Sequence, residues 1–262
     1  MSTEQWNAIA KGYARLREPL TLPYGLDTLA AIRIAPGERL LDVACGTGAV
    51  ALAAARQGTE VLAVDWSPGM VDFLSARAFE ERVENLTARV MDGQNLELPT
   101  SHFDAACSVF GIMFFPDYRA GLSELLRVLK PGGRVGLAVW GTPSRMEHLA
   151  IWERAVHTIQ TQAPNFPRPN AWVQLDSQEK LHQEMQRAGF RDVSVTPVVH
   201  EWEVPSPQWF IENADSSQSI SEHFGLDCPD QLLQVIQRQL RQKYGDRPFT
   251  LTAHAHIGIA TK

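Results

Sequence analysis

The chain is poor in the features that would anchor it, staple it or draw it to a polyanion. Its three cysteines, Cys45, Cys107 and Cys228, sit at unrelated spacings with no C-x-x-C pair. An odd, unpatterned set does not make a secreted disulfide framework, so a reducing compartment, the cytoplasm, is expected. No apolar run approaches the roughly 18 residues needed to cross a bilayer, and the opening Met-Ser-Thr-Glu-Gln-Trp has no basic segment followed by an apolar one. Positive charge is also scarce: 24 Lys and Arg stand against 30 Asp and Glu, a net charge of −6. Such a surface repels phosphate backbones and anionic lipid, so neither nucleic acid nor membrane is an expected partner. What is present is ordinary for a soluble globular protein, with 44% hydrophobic and 21% charged residues in 262. That length can bury a substantial core as one structural domain, a monomer or a homodimer.

From residue 39 to about 141 short apolar runs alternate with helical patterns, which implies an α/β fold with a parallel sheet and helices on both faces. Strands are expected at 39–44, 60–65, 86–91, 103–110 and 134–140. Helices are expected at 50–57, from Ser67-Pro68 to about Glu81, and at 118–129. Serine can cap a helix and proline is tolerated at its first position. Lys130-Pro131-Gly132-Gly133 reads as a helix end, with a cation near the negative pole. A helix at 178–188 and strands at 192–200 and 250–260 follow. Residues 142–176 and 205–248 interrupt the alternation with helical pieces at 146–161, 209–222 and 231–244. Each follows the C-terminal end of a strand, where ligands bind in open α/β sheets, so these insertions are expected to cap the active site.

The chemistry concentrates in Asp42-Val43-Ala44-Cys45-Gly46-Thr47-Gly48, a strand entering a glycine turn that opens a helix. Gly46 and Gly48 permit a sharp turn and a close ligand approach. Asp65 ends the next strand, 19 residues after Gly46, where a carboxylate can accept both hydroxyls of a ribose. This pattern alone also suits NAD(P). Asp42 tips the balance, because a carboxylate in this otherwise apolar strand would oppose a pyrophosphate and favour a phosphate-free ligand carrying ammonium and sulfonium groups. After the third strand, Asp92, Gly93 and Gln94 supply an acid and amides suited to an adenine edge.

Residues 39–141 resemble the core of class I S-adenosylmethionine-dependent methyltransferases. The resemblance rests on Asp42-x-x-x-Gly46-x-Gly48, Val64-Asp65-x-Ser67-x-x-Met70, Asp92-Gly93, Phe103-Asp104 and Leu126-x-x-Leu129-Lys130-Pro131-Gly132-Gly133, in that order. Its flavour is that of the small-molecule enzymes of quinone and biotin biosynthesis. It implies a Rossmann-like seven-stranded, mostly parallel sheet with an antiparallel last strand. S-adenosylmethionine is the implied cofactor and a small, partly apolar molecule the methyl acceptor. Residues 1–38 would be an N-terminal helical lid, 39–141 the cofactor-binding core, and 142–262 the remaining strands with the capping insertions.

Carried over residue by residue, Asp42 and the turn Ala44, Cys45, Gly46, Thr47 and Gly48 would hold the methionine portion and Asp65 the ribose. Trp66 and Met70 would pack on the adenine, whose edge Asp92, Gly93 and Gln94 would read. Ser108 and Val109 would lie near the sulfonium, and Tyr13 of the lid would touch the cofactor. Phe110, Phe114, Trp140 and Trp172 are candidates for the acceptor site, with the Phe110–Phe115 cluster and Pro116 as its wall. His148 and His157, in the first insertion, are candidate general bases. No metal is expected, since His254-x-His256 lacks a third ligand and reads as a solvent-facing edge pair. Strand four lacks the Asn/Asp-Pro-Pro-Tyr signature of amino-methylating nucleic-acid enzymes. The alternatives are an NAD(P)-dependent oxidoreductase and a non-catalytic module that binds S-adenosylmethionine.

Overall fold

A computed structural model describes residues 3–142, 145–159, 174–212 and 229–262. Two helices lead, α1 (Thr3–Leu16) and α2 (Glu18–Ile32). The alternating region follows: β1 (Arg39–Val43), α3 (Ala49–Arg56), β2 (Glu60–Asp65), α4 (Pro68–Glu80), β3 (Leu86–Val90), β4 (Phe103–Val109), α5 (Tyr118–Val128) and β5 (Leu129–Trp140). Then come α6 (Glu147–Ile159), α7 (Gln178–Arg187), β6 (Arg191–Val204), α8 (Pro207–Glu212), α9 (Pro229–Tyr244) and β7 (Phe249–Thr261). The strands form one sheet in the order β3-β2-β1-β4-β5-β7-β6, with β7 antiparallel to both neighbours. The chain reverses direction across the sheet between β1 and β4, so the C-terminal ends of those strands flank a crevice.

Alternation along β1 divides the core. Leu41 and Val43 pack on one face with Phe103, Leu122, Leu125 and Leu137, while Leu40 packs on the other with Leu29, Ile32, Leu52 and Leu74. Ser67 caps α4 as its spacing predicts, its Oγ accepting from Met70 N at 3.2 Å. A third apolar cluster joins the insertions: Ile151, Trp152 and Val156 of α6, Phe210 of α8, and Leu232, Ile236 and Leu240 of α9 meet Val204, Phe249 and Leu251.

Three expectations need correction. Lys130-Pro131-Gly132-Gly133 does not close α5, which ends at Val128. Pairing steps from Phe103↔Leu129 to Ala105↔Arg134, so residues 130–133 bulge from β5, and Lys130 Nζ donates to Asp104 Oδ1 at 2.6 Å instead of meeting the helix pole. Strand β6 is longer than 192–200, since β7 supplies partners as far as Val204. His254 and His256 are not on an edge, because β7 lies between β5 and β6, and His256 Nε2 lies 3.2 Å from Asp176 O. Helix α2, within the segment 1–38 expected to be helical, packs into the core although its sequence holds Pro19, Pro23 and Gly25. Pro19 sits in its first turn, where no helical N–H is lost. A Cβ on Gly25 would lie 2.5 Å from Val50 Cγ2, so glycine is what lets α2 seat against α3. Tyr24 secures the same helix: its hydroxyl donates to Ala253 O at 2.5 Å and accepts from His200 N at 3.1 Å.

Candidate active site

The glycine turn is built by backbone that most residues avoid. Ala44, Gly46 and Gly48 have φ of 58°, 54° and 87°. Cys45 N donates to Val64 O at 3.0 Å, and Gly46 N donates to Asp65 Oδ2 at 2.9 Å, so the end of β2 fixes the turn after β1. Asp65 Oδ1 accepts from Ser67 N at 2.9 Å. Burial raises the Asp65 carboxyl above its ordinary range, and the amides of Ser67, Gly46 and Trp66 oppose that rise.

Around this turn lies a cavity of about 230 Å³. Sheet order sets its lining residues in a row: Asp92 and Gln94 after β3, Asp65 at the end of β2, Ala44 to Thr47 after β1, and Val109 to Gly111 at the end of β4. Trp66, 41% exposed, and buried Met70 stand beside Asp65 and Asp92. Asp92 Oδ1 accepts from Gln94 N at 2.9 Å, and Gln94 Oε1 accepts from Asp117 N at 2.8 Å, which ties this corner to the start of α5. Gly93 is required by closeness, since a Cβ there would lie 2.5 Å from Phe115 Cζ.

The roof comes from α1 and the start of α2. Asn7 Oδ1 accepts from Ser67 Oγ at 2.6 Å and Gly69 N at 2.8 Å, clamping α1 to the start of α4. Trp6 meets Tyr13 and Phe114 edge-on, with centroids 6.1 and 6.0 Å apart. Burial pushes the Tyr13 phenol up to about 12, with Arg17 opposing and Asp65 and Glu18 reinforcing the shift. Glu18 Oε1 accepts from Thr47 Oγ1 at 2.5 Å and from Arg77 Nη1 at 2.6 Å.

Of the residues singled out in the sequence, Tyr13, Ala44, Cys45, Gly46, Thr47, Asp65, Trp66, Met70, Asp92, Gly93, Gln94, Val109, Phe110 and Phe114 line this one cavity. Others stand behind its wall. Asp42 is 1% exposed on the α3 side of the sheet, where the Cys107 thiol donates to its Oδ1 at 3.5 Å and Oδ2 has no partner among the described residues. Burial pushes its carboxyl up to about 7, the Cys107 hydrogen bond opposing and the Asp65 charge adding to the rise. Gly48 packs on Leu74, and Ser108 Oγ accepts from Ile112 N at 3.0 Å. Trp140 stacks on Phe110 with centroids 3.6 Å apart and meets His148 edge-on at 6.5 Å. His148 is buried, its Nδ1 has no partner among the described residues, and burial together with the Arg17 charge pushes it down to about 3. His157 is exposed on α6 and does not line the cavity, and Trp172 lies outside the described residues. Glu18 and Thr21 line the cavity without having been singled out. They lie on the helix at 18–32, inside the expected helical segment 1–38 but outside the motifs that carry the resemblance.

Residues 40–133 match the methyltransferase-domain family. An uncharacterised protein of Mycobacterium tuberculosis is 38% identical over 128 residues, 49% of this chain and 46% of that one. The chain thus spans about half the length of the first curated relatives it matches. The demethylmenaquinone methyltransferase of Clavibacter sepedonicus is 35% identical over 176 residues, 63% of this chain and 71% of the relative. Among solved structures, the YcgJ protein of Bacillus subtilis superimposes with a TM-score of 0.59 at 19% identity, covering 91% of this chain and 97% of that one, a likeness of fold. The chain belongs to the class I S-adenosylmethionine-dependent methyltransferases. Its own residues suit that cofactor's hydroxyl and amine groups: the cavity is lined by the carboxylates of Asp65 and Asp92, which stand at or just after the ends of neighbouring strands, and the turn at Gly46 leaves Tyr13 Cε1, at 3.9 Å, as the nearest atom to an added Cβ.

Proposed function

We propose that the chain transfers the methyl group of S-adenosylmethionine to a small, partly apolar acceptor. The observation that carries this reading is the single cavity in which the glycine turn, Asp65 and Asp92 share walls with Val109, Phe110, Phe114 and Phe115. Polar groups of the first set suit a nucleoside, and the aromatic wall suits an apolar partner beside it. The cofactor supplies a methyl carbon activated by positive sulfur, so the protein's task is alignment and exclusion of water. Trp6, Tyr13 and the start of α2 do the excluding, while Asp65 and the turn do the aligning.

The name of the Clavibacter relative, a demethylmenaquinone methyltransferase, favours a flat apolar acceptor over a charged one. A general base is not assigned to His157, which is exposed, nor to His148, which burial keeps neutral and weakly basic. An acceptor whose nucleophilic atom is readily ionised suits this site. The net charge of −6 supports action away from nucleic acid and anionic membranes, and the reading takes the protein as a cytoplasmic monomer or homodimer. Among the described residues no helix is long and apolar enough to cross a membrane.

Thermal unfolding tests the reading. S-adenosylhomocysteine at about 100 times its dissociation constant stabilises a binding protein by about 2.7 kcal/mol, a shift of several degrees. NADH at the same concentration is expected to leave the midpoint unchanged. A shift with NADH and none with S-adenosylhomocysteine contradicts the proposal.

A further inference from the structure

The methionine end of the donor carries an α-ammonium beside its α-carboxylate, and the structure separates two carboxylates that could accept from that ammonium. Asp42 lies behind the wall, whereas Glu18 is part of it. We propose that Glu18, at the start of α2, binds the α-ammonium of the donor's methionine portion. This rests on reading the cavity as the donor site.

Three observations carry the assignment. Glu18 is joined to Thr47, so it stands at the β1 turn, two strands along the sheet from Asp92, with Asp65 between them. A nucleoside with its adenine at Asp92 and its ribose at Asp65 would direct the rest of the molecule toward Glu18. Both of the carboxylate's hydrogen bonds fall on Oε1, and Oε2 takes none from the described residues. Third, the side chain is 12% exposed and held in place, because Arg77 Nη1 donates both to Glu18 Oε1 and to Thr47 O at 3.1 Å. A carboxylate has about four lone-pair sites, so one oxygen can face Arg77 and Thr47 while the other accepts from an ammonium. Arg77, Glu18 and the ammonium would then alternate as guanidinium, carboxylate and ammonium.

Calorimetric titration of the full chain tests this, using S-adenosylhomocysteine and its deaminated analogue, in which hydrogen replaces the α-ammonium. The wild type is expected to bind S-adenosylhomocysteine about tenfold or more tightly than the analogue. Glu18→Gln, which keeps the shape and the acceptor oxygen, should lose about that factor for S-adenosylhomocysteine and leave the analogue within about twofold. Equal loss for both ligands, as expected if Glu18 only braces Thr47, overturns the proposal, and so does an unchanged affinity for S-adenosylhomocysteine. Should Glu18→Gln fail to fold by circular dichroism, the wild type decides: equal affinity for the two ligands overturns the assignment. Failure of the wild type to bind S-adenosylhomocysteine at all contradicts the donor-site reading itself.

Discussion

Asp42, expected to hold the methionine portion, does not line the cavity. Its place in an apolar strand marks it as special, yet period-two alternation turns it away from Val43 and toward α3, beneath the turn and not into the cavity. Its carboxyl ordinarily titrates near 3.8, and burial pushes it up to about 7. Below pH 3.8 folded and unfolded chains both hold the proton. Between 3.8 and about 7 the unfolded chain releases it while the folded chain keeps it, so the stability present in acid is lost as pH rises. Asp42→Asn is therefore expected to be more stable than the ligand-free wild type at pH 8, by on the order of a few kcal/mol, with the gap narrowing toward pH 4. Urea unfolding at several pH values checks this. Parallel curves for the two proteins would mean that Asp42 ionises normally in its buried position. Asp65 differs from Asp42 because it faces the cavity and its burial is countered by three backbone amides.

At the scale of elements, the turn between β1 and α3 is where sequence pattern and packing agree best. Gly48 has φ of 87°, and a Cβ there would lie 2.1 Å from Leu74 Cδ1. Gly48→Ala is expected to cost about 1–3 kcal/mol in urea unfolding from backbone strain and overpacking together, and an unchanged midpoint would contradict this account of the turn. Strands β1, β2 and β4 were legible from short apolar runs bounded by glycine or aspartate, and α4 from Ser67-Pro68. The bounds and core packing of α2, inside the expected helical segment 1–38, were not, because Pro19, Pro23 and Gly25 blur its pattern locally while Tyr24, Thr28, Leu29 and Ile32 gain their burial only from the assembled sheet. The bulge at 130–133 was hidden for a similar reason: a Pro-Gly-Gly run signals a break, but only the register against β4 decides that the break falls inside β5. Glu18 and Thr21 belong to that helix and to none of the motifs, so the part of the roof made by α2 was less legible than the part made by Tyr13.

For the whole molecule, the order of strands does what no single motif can. It sets Asp92, Asp65, the Gly46 turn and Phe110 side by side although they are spread over some seventy residues of sequence. The spacing of the motifs made that row legible, since each falls at the end of an expected strand. The acceptor side was less so, because it depends on how α6 and the β5 terminus pack: Trp140 stacks on Phe110, and His148 stands behind that pair. The central claim is that this row of groups is a donor site for S-adenosylmethionine. A crystal structure of the full chain with S-adenosylhomocysteine tests it most directly. The account predicts ribose hydroxyls within hydrogen-bonding distance of Asp65, with adenine beside Asp92 and Trp66. A nucleoside bound elsewhere, or electron density in the crevice only after soaking with a dinucleotide, would contradict it.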